Sequence, residues 1–493
     1  TLLAGAVPAG GFGSTPSLKG LGYKSPNEKL NIASIGAGGK AASDIRGCSP
    51  TENIVALCDV DDKQAAAIYK QFEKAPKYRD FRKMLDTEGN GIDAVIVTIP
   101  DHMHATAAIH CMERGKHVYT QKPLVRTVKE ARMMVEAANK YKVATQMGNQ
   151  GYSNEGTRQC AERIWGGEIG NVTEVHAWTN RPIWPQGLTS IPAATPVPAT
   201  LDWDLWLGIA NQREFTSGAE GNAEGRSSRN FYQPFNWRGF YDFGCGALGD
   251  MACHILGAPN LALKLGAPTS VECIKKEGAS DFMFPKASTT KFEFAARGNM
   301  PAVTLYWYDG MKEQPKIKGV PEGEYLGDLP SMGGGRGQRA ATGAAPVAPP
   351  PPSGFVGQVF KWNDGYLPAA ERARVTPNGS LFIGDKGMLT SGTYGEQTRL
   401  LPVEKMREYK FPPQLLTRSP GHYRDWIRAC KGGDAACSNF NVAAPFVEWM
   451  LLGVIALRVE GKLEYDQAKM KFTNNAEANK YLTPTVRKGW SIT

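Results

Sequence analysis

Long apolar runs and paired cysteine motifs are missing from this 493-residue chain. The best candidate for a membrane span, residues 449–457, covers only nine residues and follows Glu448, which is typical of a buried core helix. None of the nine cysteines has C-x-x-C spacing, so cysteine-ligated zinc is not expected, and only Cys430 and Cys437 suggest a disulfide. The sequence thus argues against a membrane-spanning helix and a cysteine-built metal centre.

A concentrated basic patch is also missing. Lys and Arg number 57 against 48 Asp and Glu, and the net charge of +9 is spread along the chain, so no nucleic-acid partner is expected. Hydrophobic residues make up 42% and charged residues 21%, which excludes a disordered, collagen-like or coiled-coil chain. The length predicts two domains with insertions.

Two segments lack the periodicity of helices or strands. Residues 1–29 are rich in Gly, Pro, Ser and Ala, and the small residues Ala4, Ala6 and Ala9 resemble the end of a signal peptide's apolar region. This pattern predicts an exported, periplasmic protein, and the alternative is a flexible leader on a cytoplasmic protein. Residues 331–354 are low-complexity Gly, Ala and Pro, which predicts a surface insertion.

Strand and helix patterns alternate from Leu30 to about residue 150. Apolar strands are predicted at 30–36, 54–59, 93–100, 116–121 and 143–148, with helices at 62–74 and 128–140 among them. This alternation predicts an α/β domain with a doubly wound parallel sheet. From 151 to 493, successive strand-like runs predict an α+β domain with an open, mostly antiparallel sheet, and a helix is predicted at 444–460.

A glycine-rich turn follows the first predicted strand. Gly36, Gly38 and Ala41 form G-x-G-x-x-A, with Gly39 and Lys40 inside the motif. The first glycine permits a tight turn, the second lets a pyrophosphate approach, and the small alanine lets the following helix pack on the strand. The motif predicts a Rossmann domain in which these five residues bind a dinucleotide.

An acidic residue strengthens this prediction. Asp59 ends the second predicted strand, 23 residues after Gly36, where a carboxylate binds the adenosine ribose hydroxyls. The neighbouring Asp61 and Asp62 add negative charge where a 2′-phosphate would lie, so NAD is favoured over NADP. Pro100, His102 and His104 follow another strand at the same edge, and we expect them at the cofactor.

Two further motifs carry a family resemblance. Gln121-Lys122-Pro123 after a strand and GCGALGDMACH, ending at His254, resemble signatures of the Gfo/Idh/MocA oxidoreductases. The resemblance implies a Rossmann domain followed by a domain whose open sheet makes oligomer contacts. It also implies oxidation or reduction of secondary alcohols of sugars and cyclitols with a nicotinamide cofactor. By the same resemblance, Lys122, Asp250 and His254 match the family's active-site residues, and Gln121 stands where the family usually has glutamate.

These residue types suit alcohol oxidation. Removal of hydride from a carbinol requires that the hydroxyl proton leave as well, which His254 can accept as a base. Asp250, four residues earlier, can orient the imidazole or hold a sugar hydroxyl, while the Lys122 ammonium can stabilise a developing alkoxide. Gln121 is neutral and stabilises the ammonium less than a carboxylate would. We expect Gln121 and Lys122 to contact the cofactor as well.

The predicted substrate is a carbohydrate. Aromatic rings stack on sugar faces and polar side chains bind hydroxyls, which suggests five residues beyond Asp250 and His254: Asn149, Gln150, Arg181, Trp184 and Trp206. Asp250, His254 and His176 could ligate a metal, but no spacing requires one, so no metal is predicted.

Four functions remain open at this point. The first is an NAD-dependent oxidoreductase acting on a secondary hydroxyl of a sugar, glycoside or polyol. The second is an NAD-dependent glycoside hydrolase with a 3-keto intermediate and a cofactor recycled in place. The third is exchange of a hydride between two sugars through one bound cofactor. The second and third functions share one reason, because an exported enzyme would need to hold its cofactor tightly and regenerate it in each cycle. A non-catalytic binding protein on the same scaffold is the fourth.

Overall fold

A computed structural model describes residues 28–218, 231–278, 280–328, 378–406 and 409–493. The predicted insertion at 331–354 and nearly all of the predicted leader lie outside these described residues. Helices and strands are numbered below in chain order.

Six parallel strands form the first sheet of the described chain, in the order β3-β2-β1-β4-β5-β6. Their bounds are β1 Asn31–Ile35, β2 Asn53–Cys58, β3 Lys77–Tyr78, β4 Ala94–Val97, β5 His117–Thr120 and β6 Thr145–Met147. The central strands are continuous apolar runs because helices cover both faces. Strand order reverses between β1 and β4, and ligands of such sheets bind beyond the carboxyl ends at this point. The predicted doubly wound parallel sheet is confirmed.

The helices of this region are α1 Gly39–Cys48, α2 Asp62–Gln71, α3 Phe81–Glu88, α4 His104–Glu113 and α5 Val128–Tyr141. Helix α5 begins at a capping box in which Thr127 and Glu130 satisfy each other's backbone N–H groups. Helix α2 begins where the Asp61 carboxylate accepts the Lys63 N–H, and it ends three residues before the predicted Lys74, because Phe72 leaves the helical conformation.

The second sheet contains nine strands within the described residues, in the order β13-β12-β11-β7-β10-β9-β8-β14-β15. Strands β7 and β10 pair in parallel and the other pairs are antiparallel, which confirms the mostly antiparallel prediction. Along β9 and β10, buried and half-exposed residues alternate, so one face is covered and the other is open. The bounds are β7 Val172–Trp178, β8 Ser270–Glu277, β9 Ala287–Phe294, β10 Val303–Asp309, β11 Gly379–Gly384, β12 Gly387–Ser391, β13 Arg399–Leu401, β14 Leu463–Asp466 and β15 Lys471–Phe472.

The remaining α-helices are α6 Glu155–Trp165, α7 Trp203–Leu207, α8 Gly246–Ile255, α9 Gly257–Ala262, α10 His422–Cys430, α11 Phe440–Ala456 and α12 Ala476–Asn479. Helix α11 is apolar on nearly all sides because it packs against both α5 and α8. It begins four residues before the predicted residue 444, since the Asn439 side chain caps it by accepting the Asn441 N–H. Short 3-10 turns occur at Gly89–Gly91, Asp101–Met103, Gln150–Ser153, Asn236–Gly239 and Val403–Met406.

Helix α10 belongs to the core of the first sheet. Trp426 is fully buried, and with Ile427 and Cys430 it joins the apolar cluster that contains Ile32 and Ile96 of the parallel sheet. The predicted domain boundary at residue 150 leaves out this helix, because sequence position alone does not show where a distant apolar face packs.

No helix in the described part of the chain combines the length and apolarity needed to cross a membrane. All nine cysteines are free thiols, and Cys430 and Cys437 are not joined.

Candidate active site

A cleft of about 350 Å³ opens at the carboxyl edge of the parallel sheet. The glycine-rich turn and the residues just beyond β2 and β4 line it, together with Gln233, Pro234, Phe235, Trp237 and Arg238. The predicted cofactor residues on its surface are Gly36, Gly38, Gly39, Lys40, Asp59 and Pro100. This placement is where the strand order reverses and where a dinucleotide binds in such sheets.

The glycine turn fits a dinucleotide because side chains are excluded from it. Gly36 has φ +94°, and a Cβ there would lie 2.1 Å from the Thr98 carbonyl oxygen. A Cβ at Gly38 would lie 2.6 Å from the Gln64 carbonyl oxygen, whereas nothing lies within 4 Å of one at Gly39. Helix α1 begins at Gly39, so its free N–H groups face the cleft. Ala41 is buried beneath the turn, as helix packing requires.

Asp59 shapes this turn from the end of β2. One carboxylate oxygen accepts the N–H groups of Ala37 (2.8 Å) and Gly38 (3.1 Å), and the other accepts the Asp61 N–H (3.0 Å). Burial raises the pKa of Asp59 above its ordinary value, and the three N–H donors offset only part of this increase. The carboxylate therefore orders the turn and lines the cleft, and its remaining lone pairs are available to ribose hydroxyls.

Carboxylates also surround the position of a 2′-phosphate. Asp61 lines the cleft beside Asp59. Arg79, a cation on the cleft wall, is paired with Asp62. This distribution of charge fits NAD better than NADP.

The structure corrects the prediction that His102 and His104 contact the cofactor. Both are buried behind the cleft, where His102 Nε2 lies 3.1 Å from the Trp206 carbonyl oxygen. The two ring nitrogens of His104 lie 2.8 Å from the carbonyl oxygens of Pro123 and Ile99. Burial lowers the pKa of His102 to about 3 and that of His104 to about 4. Both imidazoles are therefore neutral and join loops, because the turn into α4 directs them inward.

Gln121 likewise faces the interior rather than the cofactor. Its Nε2 donates to the Asp44 carboxylate (3.0 Å) and to the Tyr119 hydroxyl (3.1 Å). Asp44, fully buried on α1, also accepts the hydroxyls of Thr98 (3.0 Å) and Tyr423 (2.7 Å) and pairs with Lys40. The amide at position 121 therefore connects the end of β5 to α1 and leaves the Lys122 ammonium to another partner.

That partner is Asp250. Lys122 Nζ donates to Asp250 Oδ1 (2.6 Å) and to the Asp250 carbonyl oxygen (3.0 Å). Arg238 Nε donates to the same Oδ1 (3.1 Å). Burial raises the pKa of Asp250, but the charges of Lys122 and Arg238 outweigh it and hold the pKa below its ordinary value. The carboxylate is therefore ionised and holds the ammonium in place.

His254 lies one turn after Asp250 on α8. Its ring meets the Tyr394 ring edge-on, with centroids 4.7 Å apart. Burial, followed by the Lys122 ammonium, lowers the pKa of His254 well below its ordinary value, so the imidazole is neutral. Its Nδ1 is buried and has no hydrogen-bond partner among the described residues. The structure thus brings together Lys122, Asp250 and His254 from distant parts of the chain, with a base that can accept a proton.

Three residues that the sequence analysis missed complete this site. Arg238 lines the cofactor cleft and bonds Asp250, with its guanidinium 4.2 Å from the Trp237 ring centroid. Tyr394 follows β12, and His422 begins α10, where its Nε2 lies 3.0 Å from the Tyr119 hydroxyl. Arg238 stands just before the GCGALGDMACH segment, which is a local signal, whereas neither of the others belongs to a motif.

The predicted substrate residues separate into two groups. Arg181 lies half-buried after β7, where its charge helps to lower the pKa of Asp250, and Gln150 is half-buried at the start of a 3-10 turn. Asn149, in contrast, is fully buried and accepts the Ser438 hydroxyl. Asn149 therefore lies in the interior of the protein rather than against a sugar.

Both predicted tryptophans need correction. Trp184 is buried, and its Nε1 donates to the Gln186 side chain at 2.8 Å. Trp206 stacks on Trp203 with centroids 4.7 Å apart and lines the cofactor cleft instead of a sugar site. Trp206 belongs to a cluster of aromatic side chains, in which large apolar rings gain most by burial. Trp184 meets the Phe235 ring edge-on, with centroids 5.5 Å apart.

Among the residues that the structure describes, no group of three or more His, Cys, Asp and Glu side chains could hold a metal ion. His176 belongs instead to the second sheet, where its Nε2 lies 2.7 Å from Glu174 and its Nδ1 lies 2.9 Å from the Tyr308 hydroxyl.

Comparisons with known proteins agree with this geometry. Residues 30–149 match the model of an oxidoreductase family with an NAD-binding Rossmann fold, GFO_IDH_MocA. The chain is 30% identical over 125 residues to an inositol 2-dehydrogenase of Salmonella typhimurium, covering 25% of this chain and 37% of the relative. It is 30% identical over 145 residues to a glycosyl hydrolase family 109 protein of Solibacter usitatus, covering 27% and 33%. The matches span about a third of each relative's length.

A solved structure resembles nearly the whole described fold. The WlbA dehydrogenase from Bordetella pertussis, in complex with NADH and UDP-GlcNAcA, aligns with a TM-score of 0.54 and 13% identity. The alignment covers 89% of this chain and 99% of that one, and at this identity it shows the fold alone. The NAD-binding Rossmann domain of this chain is thus similar to that of the Gfo/Idh/MocA oxidoreductases.

Proposed function

We propose that the protein is an NAD-dependent oxidoreductase acting on a secondary hydroxyl of a carbohydrate or polyol. The observation that carries this proposal is the Lys122–Asp250–His254 group, joined to the cofactor cleft by Arg238. An ammonium, an ionised carboxylate and a neutral imidazole, linked to an NAD cleft through Arg238, are the groups that alcohol oxidation needs.

Each residue has a definite task in this reaction. Bound NAD supplies the hydride acceptor. The Lys122 ammonium donates a hydrogen bond to the substrate oxygen and stabilises the negative charge that develops on it. His254, neutral because of its burial, accepts the hydroxyl proton. Asp250 holds the ammonium through Oδ1, and its other oxygen can accept a sugar hydroxyl.

Direct assays test this function. Purified protein supplied with NAD and a panel of cyclitols and free sugars is expected to produce NADH steadily with at least one of them. The variant His254→Asn removes the base and is expected to lose activity. Its matched control is His110→Asn, which changes a histidine on α4 whose ring bonds a backbone carbonyl. NADH production by His254→Asn at the wild-type rate would contradict the assignment.

Glycoside hydrolysis is the second candidate, and the similarity to a glycosyl hydrolase family 109 protein favours it. In that case the sugar would be oxidised at C3, which acidifies the C2 proton. Loss of that proton would eliminate the aglycone, water would add at C1, and the C3 ketone would be reduced again by the hydride held on the same cofactor. Release of p-nitrophenol from a nitrophenyl glycoside without net NADH formation would select this function. NAD that stays with the protein through dialysis would support such recycling.

Export and self-association complete the proposal. The small-residue pattern at Ala4, Ala6 and Ala9 supports a periplasmic protein, which fractionation of the producing cells would test. The open face of the second sheet supports a homo-oligomer, because His176 stacks there on half-exposed Tyr306 and Tyr308. A monomeric mass by light scattering would contradict the latter.

A further inference from the structure

Lys40 is a cation at the start of α1, directly after the glycine turn. It lines the cofactor cleft, and its side chain is 40% exposed. Two further cations line the cleft at other places, Arg79 beside Asp62 and Arg238 beside Asp250. A pyrophosphate binds at the free N–H groups where such a helix begins, so Lys40 is the cation nearest to it along the chain.

A buried carboxylate fixes the Lys40 ammonium. Lys40 Nζ pairs with Oδ1 of Asp44, which lies one helical turn later and has a fully buried side chain. The contacts of Nζ with the hydroxyls of Ser43 (3.2 Å) and Tyr423 (3.4 Å) are longer and therefore weaker. An anion in the cleft can replace these two hydroxyls while the carboxylate keeps the ammonium in place.

Asp44 is held in turn by donors from three other parts of the chain. Its Oδ1 accepts the hydroxyl of Tyr423, on α10, at 2.7 Å. Its Oδ2 accepts the hydroxyl of Thr98, just beyond β4, and the amide of Gln121, just beyond β5, each at 3.0 Å. Together with Lys40 these donors use the four lone-pair positions of a carboxylate, which gives Asp44 one orientation.

Helix α10 reaches Asp44 by packing directly on the backbone of α1. A Cβ at Gly47 would lie 2.3 Å from Cε2 of the Tyr423 ring, so the glycine makes room for this ring. The next residue, Arg424, donates from Nη2 to the Gly47 carbonyl oxygen at 3.1 Å and from Nη1 to the Thr51 hydroxyl. The Tyr423 hydroxyl is therefore held against Asp44 by the docking of a whole helix.

We propose that Asp44 and Tyr423 are positioning residues that hold the Lys40 ammonium for the pyrophosphate of NAD. An ammonium binds phosphate as a compact point charge, and one that is already held in place loses less freedom when the ligand binds. A tyrosine 379 positions beyond Asp44 thus contributes to the affinity for the cofactor. The inference concerns binding of NAD and is independent of the reaction proposed above.

Calorimetric titration of the full chain, freed of cofactor, tests the role of Lys40. Lys40→Met is expected to weaken binding of NAD and of ADP-ribose by the same factor, about 10- to 100-fold, the range for a charge-assisted hydrogen bond. Binding of adenosine, which has no phosphate, should not change, and the salt dependence of NAD binding should become shallower. Lys70→Met, at an exposed position on α2, is the matched control and should bind NAD as the wild type does.

Two results would overturn the role of Lys40. Wild-type affinity for NAD in Lys40→Met would show that the ammonium does not bind the cofactor. Loss of NAD affinity without loss of ADP-ribose affinity would place the ammonium at the nicotinamide rather than at the pyrophosphate. Failure of the proposed reaction would leave both dissociation constants as they are, so the two proposals fail separately.

A pair of tyrosine variants tests the positioning role. Tyr423→Phe keeps the ring against Gly47 and removes only the hydroxyl. We expect it to raise the Kd and the KM for NAD about 3- to 10-fold, the range for one hydrogen bond, with kcat at saturating NAD unchanged. Tyr465→Phe is the matched control, because it removes a hydroxyl that donates to the buried carboxylate of Glu448 at 3.0 Å, and it should leave NAD binding unchanged.

A double variant shows whether the hydroxyl acts through the ammonium. In Lys40→Met/Tyr423→Phe, removal of the hydroxyl should add little to the loss already caused by Lys40→Met. Wild-type NAD affinity in Tyr423→Phe, equal weakening in Tyr465→Phe, or additive losses in the double variant would each refute the positioning role of Tyr423.

Discussion

Replacement of Lys122 by methionine is expected to lower kcat about 1,000-fold, within the range measured for loss of an electrostatic or acid–base group. Methionine has a similar length but no charge, so the developing alkoxide loses its cation. NAD affinity should change little, because the ammonium bonds Asp250 and not the glycine turn. Single-turnover kinetics and NAD titration measure the two effects separately.

The matched control for this variant is Lys83→Met, on the exposed side of α3. It removes the same charge far from Asp250 and should leave kcat at the wild-type value. Comparable rates for Lys122→Met and wild type would show that the ammonium takes no part in the reaction.

The variant Gln121→Glu is expected to be less stable than wild type by about 3 kcal/mol, the cost of an uncompensated buried charge. Gln121 Nε2 donates to Asp44 at 3.0 Å, so glutamate would place a second carboxylate against a fully buried one. One of the two must then take up a proton or remain repelled. Denaturant unfolding measures the loss.

A double-mutant cycle tests the cause. In Asp44→Asn/Gln121→Glu the amide and the carboxylate exchange places, so one charge and one donor remain, and stability should exceed that of Gln121→Glu alone. Additive effects of the two substitutions would mean that the contact with Asp44 does not explain why position 121 is an amide. The expected coupling explains the neutral residue beside Lys122, because Asp44 already supplies the carboxylate.

The sequence predicted those parts of the site that local spacing encodes. Gly36 and Gly38 were predicted as a ligand turn because steric exclusion of a side chain acts within a few residues. Asp59 was predicted because it directly follows the second strand, and the carboxyl ends of parallel strands lie at the same edge of the sheet as the glycine turn. The alternation of strands and helices predicted the parallel sheet for the same reason.

Residues whose role depends on burial could not be assigned in this way. Trp184 and Trp206, predicted at the sugar, and His102, predicted at the cofactor, have side chains that serve equally in a ligand site and in a buried core. Only the packing of distant segments separates the two roles. Tyr394, in a loop, and His422, at the start of α10, lie more than 130 residues beyond His254. No spacing rule connects such positions, because a tertiary contact brings them together.

The placement of Trp426 has a consequence for biosynthesis. Trp426 packs on the parallel sheet whose first strand begins at Asn31, and it belongs to α10, which ends at Cys430. During translation, the apolar cover of this sheet therefore stays incomplete until residue 430 has left the ribosome. Until then, the side chains of Ile32 and Ile96 lack the part of their apolar surroundings that Trp426 supplies.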